Sequence, residues 1–360
     1  MKWLLAVGIS FLVASSSASA EAQQRVQVEF WHGLGQPLGG ILEKVVADFN
    51  ASQPRYQVNA TFKGQYPETM MGAIAAFRAG NAPHIVQMFE VGTATMMAAR
   101  TAIKPVSELA RETGVSIDPK NYVGGVRGYY STTDGRRVPM PFNSSTPVTW
   151  YNKDAFKKAG LDPEKPPRTW EETWAAARKI VATKAVFHGS SGMRARVVRE
   201  AKFNWGVTFL PYYKGTKNAP KNSIIGGASF WVMTGPKRTA EEYKAVAEFF
   251  SYLSRPEVDA KWHMDTGYVP ITLNGIALAS GQGYYIKNPG ADIPFRQLTL
   301  TEPTENSMGL RLGNMPEIRV IIQEEMEKAF QGQQTAKQAL DNAVKRGNVV
   351  LRNFERTNRP

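Results

Sequence analysis

The chain carries a short polar segment, Asn143-Ser144-Ser145-Thr146, between prolines in the stretch PMPFNSSTPVTWY at positions 139–151. A serine held in such a segment can act as a nucleophile, bind an anion or form a turn. A nucleophilic serine needs a neighbouring base, and in α/β-hydrolases it lies in a G-x-S-x-G turn. No serine of this chain has that pattern and Ser145 has no evident base partner. Anion binding and a turn therefore remain as its two interpretations.

Other motifs test the chain for a bound cofactor or metal. The loop GLGQPLGG at 33–40 has glycines spaced G-x-G-x-x-x-G and interrupted by a proline, unlike a dinucleotide-binding loop. The four histidines, His32, His84, His188 and His263, are far apart in the sequence, and the absence of cysteine excludes thiolate ligands and nucleophiles. We therefore expect no catalytic residue, no metal and no cofactor.

Composition limits the classes of partner. Lys and Arg number 44 against 31 Asp and Glu, which gives a formal net charge of +13 at pH 7. A basic balance favours anionic partners, although dispersed charge of this kind can also serve solubility alone. The alternation of basic and aromatic residues that is typical of nucleic-acid binding is absent. Many of the 8 Trp and 13 Tyr residues lie in predicted loops and strand ends, where they can line a cleft or pack.

The first twenty residues, MKWLLAVGISFLVASSSASA, have the three parts of a secretory signal peptide. Lys2 supplies the positive region, Trp3 begins an apolar run that ends at Val13, and Ala18-Ser19-Ala20 is a small-residue cleavage site. The pattern predicts cleavage after Ala20 and export to the periplasm; a buried N-terminal helix is the alternative. The remaining chain is long enough for two domains.

Elements that can position a site follow from the hydrophobic periodicity. In the first part of the chain, strands are predicted at 25–31, 56–62 and 84–88. Between them lie a predicted helix that carries Ile41 to Phe49 and a second one at 68–79. Strand, helix, strand, helix, strand at this spacing predicts a parallel sheet covered by helices on both faces.

A second α/β unit is predicted further along. Strands are expected at 147–151 and 224–233, and Thr169 with Glu172 forms a capping box that opens a helix extending to about Lys184. Three more helices are predicted: one carries Tyr243 to Leu253, one opens at Pro316, and one is capped by Thr335 and Gln338.

Several long segments resemble one family, the sn-glycerol-3-phosphate-binding proteins of the ABC importer for glycerol phosphate. They are FWHG at 30–33, GQYPETMMGAIAAFRAGNAPHIVQMFEVGTATMMA at 64–98, PFNSSTPVTWYNKDAFKKAGLDPEKPPRTWEE at 141–172, IIGGASFWVM at 224–233, KWHMDTGYVPIT at 261–272, KNPGAD at 287–292 and GLRLGNMPEIRVIIQEE at 309–325. The resemblance implies a type II periplasmic-binding-protein fold of class α/β. Each of its two lobes would have a central, mostly parallel sheet flanked by helices, and the lobes would close over the ligand.

The resemblance also implies which residues bind the ligand. They are Tyr66, Glu90, Ser145, Ser190, Gly227, Tyr268 and Arg319, with Trp170 at the cleft wall, where it would contact a larger head group such as choline. The chemistry agrees, because a phosphate monoester carries about −1.5 to −2 charges at neutral pH. A guanidinium on the first turn of a helix, hydroxyls and a glycine N–H would donate to that phosphate. Glu90 would accept from the glycerol hydroxyls, with Tyr66 beside it.

Lobe boundaries follow from the same resemblance. Lobe one is expected at 25–141 plus 228–310, and lobe two at 142–227 plus 311–360. The family carries a large tryptophan-bearing block where this chain runs directly through Ala185-Val186-Phe187-His188. We therefore expect lobe two to be shortened between 185 and 188 by an internal deletion, which affects the surroundings of Ser190.

The function implied is that of a periplasmic solute-binding protein that is not an enzyme. It would bind sn-glycerol 3-phosphate, or a glycerophosphodiester such as glycerophosphocholine, and deliver it as a monomer to inner-membrane ABC permease subunits. The alternatives are a secreted glycerophosphodiester-hydrolysing enzyme, a binder of another sugar or sugar phosphate, and a basic protein that adheres to nucleic acid or a membrane.

Overall fold

The computed structural model of the chain describes residues 24–132, 134–180, 186–304 and 309–358, with the backbone alone for residues 186–188. The predicted signal peptide, residues 1–20, and the predicted junction that includes Ala185 lie outside these ranges or at their edge. Among the described residues, no helix has the length and apolarity that a membrane crossing requires.

Strands and helices alternate along the described chain. The strands are β1 (Val26–His32), β2 (Tyr56–Phe62), β3 (Ile85–Phe89), β4 (Ile103–Lys104), β5 (Met140–Ser145), β6 (Pro147–Asn152), β7 (Val186–Ser190), β8 (Trp205–Thr208) and β9 (Gly226–Met233). The helices are α1 (Leu38–Ser52), α2 (Tyr66–Arg78), α3 (Thr93–Ala98), α4 (Val106–Thr113), α5 (Gly124–Tyr129), α6 (Lys153–Lys158), α7 (Trp170–Ile180), α8 (Arg194–Glu200), α9 (Ala240–Leu253), α10 (Pro256–Thr266), α11 (Leu273–Gly281), α12 (Tyr284–Lys287), α13 (Ile293–Leu298), α14 (Met315–Phe330) and α15 (Ala336–Thr357). Single 3₁₀ turns occur at Glu90–Gly92, Pro119–Asn121 and Ser191–Met193.

The larger sheet has six strands, in the order β2-β1-β3-β9-β4, with β5 also paired to β9. As the sequence predicts, β1 pairs in parallel with β2 and β3, so that Val28 lies opposite Val58 and Phe30 opposite Ile85. β9 returns from far along the chain and runs antiparallel to β3, β4 and β5. Three of its five pairings are antiparallel, so this sheet is mixed and the expectation of a mostly parallel sheet is wrong for it.

Both faces of the larger sheet are buried, which explains the nearly continuous apolar run of β9. Phe230 and Val232 pack on the same side as Phe30, in the core that α1 and α9 cover. Trp231 and Met233 point to the other side, into a core that contains residues of α2 and α3. Because successive side chains of a strand point to opposite faces of the sheet, one apolar segment contributes to two cores.

The smaller sheet has three strands in the order β7-β6-β8, and both pairings are antiparallel. The expectation of a mostly parallel sheet in each lobe is wrong here. The physical reason is where the chain re-enters the sheet: Val186 pairs with Tyr151 and Trp205 with Asn152, so β7 and β8 both begin beside the end of β6. Parallel pairing needs a crossover that brings the chain back to the start of its neighbour.

The chain changes sheets at two neighbouring places. β5 belongs to the larger sheet and β6 to the smaller one, with Thr146 alone between them; the return occurs where β9 begins at Gly226. The Thr146 hydroxyl donates to the carbonyl of Ile224 (2.9 Å), which ties the two crossings together. Both places lie a few residues from the predicted boundaries at 141/142 and 227/228, and the lobe division itself stays a prediction.

Helices α14 and α15 pack against each other at the end of the chain, and an ion cluster joins them. Glu325 Oε1 lies 2.6 Å from Arg346 Nη1 and 2.9 Å from Lys328 Nζ, and Gln334 Nε2 donates to Glu325 Oε2 (2.9 Å). These hydrogen bonds lower the pKa of Glu325 to about 2. The predicted capping box of Thr335 and Gln338 is confirmed at the start of α15. We call α14 and α15 the C-terminal hairpin.

Candidate functional site

A cleft of about 800 Å³ opens where the two sheets meet, and seven of the eight predicted site residues line it. They are Tyr66, Glu90, Ser145, Ser190, Gly227, Tyr268 and Arg319. These residues are spread over more than 250 positions of the chain, and the two crossings bring them together. Whether they bind a ligand is the subject of the proposal below.

Opposite charges face each other at the cleft. Arg319 Nη1 lies 3.4 Å from Glu90 Oε1, the arginine side chain is 55% exposed and the glutamate side chain 23%. Burial raises the pKa of Glu90, while backbone N–H groups of Glu90 and Gly227 and the charge of Arg319 act in the opposite direction. The guanidinium keeps most of its donors available, since it has five N–H groups and this pairing occupies one of them.

Arg319 does not lie on the first helical turn, contrary to the expectation. α14 begins at Met315, so Arg319 is its fifth residue. The N–H groups of Glu317 and Ile318 donate to the carbonyl of Asn314 (3.1 and 3.3 Å), and the acidic Glu317 occupies the first turn. Any positive charge offered to an anion here therefore comes from the guanidinium and not from free backbone donors of this helix.

Ser145 and Gly227 are placed by the pairing of β5 with β9, in which Ser144 lies opposite Gly227 and Ser145 opposite Gly226. Gly227 has φ +88°, and a Cβ at this position would lie 2.0 Å from the carbonyl oxygen of Asn143. Only glycine combines that backbone conformation with so close an approach. The Ser145 side chain is thereby held at the edge of the cleft, where it is 4% exposed.

Ser190 ends β7 and caps the 3₁₀ turn that follows, because its hydroxyl oxygen accepts from the N–H of Gly192 (3.2 Å). Accepting that bond leaves the hydroxyl proton available as a donor. Ser190 and the neighbouring Gly189 both line the cleft. The predicted loss of residues before β7 therefore does not remove Ser190 from this cleft.

Two buried tyrosines form one wall. Tyr66 begins α2 and stacks on Phe89, with ring centroids 5.5 Å apart at 10°. Tyr268 stacks on Trp262, at 5.9 Å and 9°, and its carbonyl accepts from His263 Nδ1 (2.6 Å). Burial raises the pKa of both phenols, so both keep their protons at neutral pH and can donate them.

Trp170 is not among the residues that line the cleft, so the expectation that it lies at the cleft wall is not met. Its N–H donates to the carbonyl of Tyr212 (3.0 Å), and its ring lies 6.1 Å from that of Tyr213. The capping box of Thr169 and Glu172 is confirmed, with both reciprocal bonds at 3.2 Å. This start of α7 fixes Trp170 against residues 212–213.

Sequence reasoning missed several residues of the site. Tyr129 lines the cleft and its hydroxyl donates to the carbonyls of Glu90 (2.7 Å) and Leu310 (3.3 Å), which fastens two segments of the wall. Behind the wall lie Gln87 and Asn143, both fully buried. The sequence contains a signal for Gln87, which is the polar residue inside the otherwise apolar strand segment HIVQM. A buried amide needs hydrogen-bond partners, so this glutamine predicts a buried polar contact.

Within the described ranges, no group of three or more His, Asp or Glu side chains is placed to share a metal ion. His32, His84 and His263 are each less than a tenth exposed, and burial lowers the pKa of all three, to about 4 for His32 and His263. The His188 side chain lies outside the description. The described histidines are therefore neutral members of the packing at physiological pH.

The α/β fold and the cleft where its two sheets meet are typical of one class of protein, the solute-binding proteins. Family models agree: residues 33–196 and 183–283 each match a model for bacterial extracellular solute-binding proteins. The chain is 40% identical to the sn-glycerol-3-phosphate-binding periplasmic protein UgpB of Yersinia pseudotuberculosis, over 95% of this chain and 96% of the relative. The UgpB of Escherichia coli strain 536 is also 40% identical, over 97% of this chain and 98% of that relative. The chain belongs to the UgpB family of periplasmic solute-binding proteins.

Both alignments are longer than the chain itself. They run over 423 and 430 positions, whereas the chain has 360 residues, so the relatives contain residues that have no counterpart here. This agrees with an internal deletion. Its predicted place after about residue 185 stays a prediction, because the described chain is interrupted between Ile180 and Val186.

Solved structures with the same fold include UgpB of Mycobacterium tuberculosis in complex with glycerophosphocholine, at 20% identity and a TM-score of 0.74 over 92% of this chain and 99% of that one. The cyclic α-maltosyl-1,6-maltose binding protein of Arthrobacter globiformis also has this fold. It is 19% identical, with a TM-score of 0.72 over 92% of this chain and 100% of that one. The expected type II periplasmic-binding-protein fold is confirmed.

Proposed function

We propose that this chain binds sn-glycerol 3-phosphate between its two lobes and delivers it to the permease subunits of an ABC importer, without chemical turnover. The observation that carries the proposal is the composition of the cleft. One guanidinium, one carboxylate and the hydroxyls of Ser145, Ser190 and Tyr268 line it, on a chain whose 40%-identical relatives are named for binding this ligand.

The phosphate would bind between Arg319 and the hydroxyl donors. Arg319 supplies the positive charge and a forked donor, and the neutral hydroxyls of Ser145, Ser190 and Tyr268 add hydrogen bonds without further charge. Hydrogen bonds to a charged group contribute roughly 1.5–3 kcal/mol each. A few of them therefore favour a phosphate strongly over a neutral group.

Glu90 would accept from the glycerol hydroxyls, because its carboxylate repels a phosphate placed directly against it. In this structure Glu90 pairs with Arg319. Binding of the phosphate would draw the guanidinium away from Glu90, and the freed carboxylate oxygens would take the hydroxyls. Tyr66 lies beside Glu90 in the same wall.

Glycerophosphodiesters are a variant of the same function. A diester such as glycerophosphocholine also contains glycerol, but its phosphate carries one negative charge, which is less than that of the monoester. Its head group also needs room in the cleft. Trp170 offers that head group no contact in this structure, since it lies outside the cleft. Titration of both ligands against the same preparation gives the preference, and we expect the monoester to bind more tightly.

A hydrolysing enzyme is the rival function. Metal-assisted hydrolysis of a diester would use a cluster of acids or histidines around an ion, and the described residues contain none. The relatives are named as binding proteins. Release of choline or phosphate on incubation with a glycerophosphodiester would overturn the proposal that the chain is purely a binder.

Export is part of the proposal. The first twenty residues would be removed as a signal peptide, so mature protein isolated from the periplasm should begin at Glu21, as mass spectrometry of the intact chain can establish. Lobe one would comprise 25–141 plus 228–310 and lobe two 142–227 plus 311–360. Light scattering should report a monomer.

Calorimetric titration with sn-glycerol 3-phosphate tests the ligand, with Arg319→Ala alongside. The variant should lose about 10- to 100-fold in affinity, the equivalent of one charge-assisted bond. Arg352→Ala is a matched control, since Arg352 is an exposed arginine of α15 outside the cleft. A folded wild type that gives no heat would contradict the ligand; an Arg319→Ala variant that binds like wild type would contradict the role of Arg319 alone.

A further inference from the structure

A chain of buried hydrogen bonds runs from the glycine-rich loop to the tyrosine wall of the cleft. The N–H of Gly33 donates to Gln87 Oε1, Gln87 Nε2 donates to Asn143 Oδ1, and Asn143 Nδ2 donates to Tyr66 Oη, each at 2.9 Å. Gln87 and Asn143 are fully buried. We call these four residues the amide relay.

The direction of the amide relay is fixed at its origin. A backbone N–H can only donate, so Gln87 must present its oxygen to Gly33 and its NH₂ group to Asn143. Asn143 must then accept through its oxygen and donate through its own NH₂ group. The Tyr66 oxygen is thereby an acceptor from Asn143, and the Tyr66 proton has to be donated elsewhere.

The proton of Tyr66 is left for the cleft. The Tyr66 oxygen accepts from the NH₂ group of Asn143, and Tyr66 lines the cleft together with Glu90. Burial raises the pKa of Tyr66, so the phenol keeps this proton at neutral pH.

The sequence supports the relay at its origin, too. Gly33 belongs to the loop that resembles a nucleotide motif only superficially, and a Cβ there would lie 2.8 Å from Tyr66 Cδ1 and 3.0 Å from the Tyr66 backbone nitrogen. Glycine at this position thus lets the loop approach Tyr66 closely while its N–H starts the relay.

We propose that Gln87 and Asn143 are positioning residues that hold the Tyr66 hydroxyl as a donor toward the cleft. A donor fixed in this way beside Glu90 suits a glycerol hydroxyl, whose oxygen would accept from Tyr66 while its proton goes to the carboxylate. This inference rests on the proposed function, because it concerns how that site holds the glycerol end of the ligand.

A double-mutant cycle tests the relay. Methionine has nearly the shape of glutamine without its amide, so Gln87→Met removes the origin of the relay at nearly constant volume. Calorimetry with sn-glycerol 3-phosphate should give about a 3- to 10-fold loss of affinity for Gln87→Met in the wild-type background. In a Tyr66→Phe background, where the donor that the relay holds is already absent, the loss should fall below about twofold.

Gln297→Met is the matched control. Gln297 is a buried glutamine that takes no part in the relay. Its side-chain oxygen accepts from the N–H of Leu210, and its NH₂ group donates to the carbonyl of Pro147. Its effect should be the same in both backgrounds. An equal loss for Gln87→Met in both backgrounds, or no loss in either, overturns the relay while the wild type still binds. A wild type that does not bind counts against the proposed function instead.

Gln87→Glu provides a second reading if the methionine variant folds poorly. A protonated carboxyl keeps the original direction, because its O–H donates to Asn143. An ionised carboxylate only accepts, so the Asn143 amide would turn and Tyr66 would donate back into the sheet. The ratio of variant to wild-type Kd for sn-glycerol 3-phosphate should rise about tenfold between pH 5 and 9. Because the phosphate, Glu90 and the tyrosines titrate in both proteins, their effects on Kd cancel in this ratio. A ratio that stays constant with pH contradicts the relay.

Discussion

Arg319 Nη1 lies 3.4 Å from Glu90 Oε1 at the cleft, although 229 positions separate the two residues in the chain. Glu90 occupies a 3₁₀ turn directly after β3, and Arg319 lies on the helix that starts the C-terminal hairpin. One residue has a charge that attracts a phosphate and the other a charge that repels it. A glycerol phosphate bound as proposed would therefore have its phosphate toward Arg319 and its hydroxyls toward Glu90.

Glu90→Gln should reduce the preference for sn-glycerol 3-phosphate over inorganic phosphate. The amide no longer repels an anion but accepts more weakly from the glycerol hydroxyls, so the two Kd values should approach each other by about tenfold. Calorimetry with both ligands measures the ratio. Glu317→Gln, at an exposed acid on the first turn of α14, is the control that should leave the ratio unchanged.

Gly227→Ala should destabilise the fold and weaken ligand binding. The added Cβ meets the Asn143 carbonyl at 2.0 Å and the positive φ adds backbone strain, so we expect about 3 kcal/mol or more of lost unfolding free energy in urea titrations. Gly215→Ala separates the two causes, because Gly215 has the same φ of +88° with nothing within 4 Å of the added atom. That variant should lose only about 1 kcal/mol. Equal losses for both would show that the contact with β5 is unimportant.

Acid should weaken the C-terminal hairpin through Glu325. Its folded pKa is lowered to about 2 from 4.5, so its contribution to stability is present above pH 4.5 and is lost as the pH falls toward 2. Thermal melts of wild type and Glu325→Gln should differ most at neutral pH and converge by about pH 2. A difference in melting temperature that does not change between pH 7 and 2.5 would contradict this assignment.

The outer face of the hairpin should make the protein prone to association. Leu340 and Val344, four residues apart on α15, are 59% and 62% exposed. The double variant Leu340→Gln with Val344→Gln should lower light scattering in concentrated solution and change the unfolding free energy by less than about 1 kcal/mol. Ala343→Gln, next to them on the buried face, should destabilise the fold instead. Unchanged scattering in the double variant would contradict the prediction.

Much of the local structure was predictable because its causes are local. β2 occupies the predicted residues, 56–62, since alternating side chains fit a sheet with two environments. The predicted capping boxes at Thr169 and Thr335 are each decided by residues within four positions of one another. Seven of the eight predicted site residues line one cleft, because long family motifs carried them.

Other features depended on partners distant in the chain. The antiparallel smaller sheet was missed because strand direction depends on where the chain re-enters the sheet, which periodicity does not encode. Trp170 was misplaced because its position follows from residues 212–213, some forty positions away. The roles of Gln87 and Asn143 follow from contacts 54 to 77 positions apart.

By itself, the sequence determined the α/β class, most elements, the family and the residue types available to a site, because these depend on short-range pattern and motif. The tertiary structure decided that Arg319 pairs with Glu90, that Ser190 lines the cleft and that the Tyr66 oxygen accepts from Asn143. Those facts depend on distances and hydrogen-bond directions, which are settled only when strands and helices from distant parts of the chain pack together.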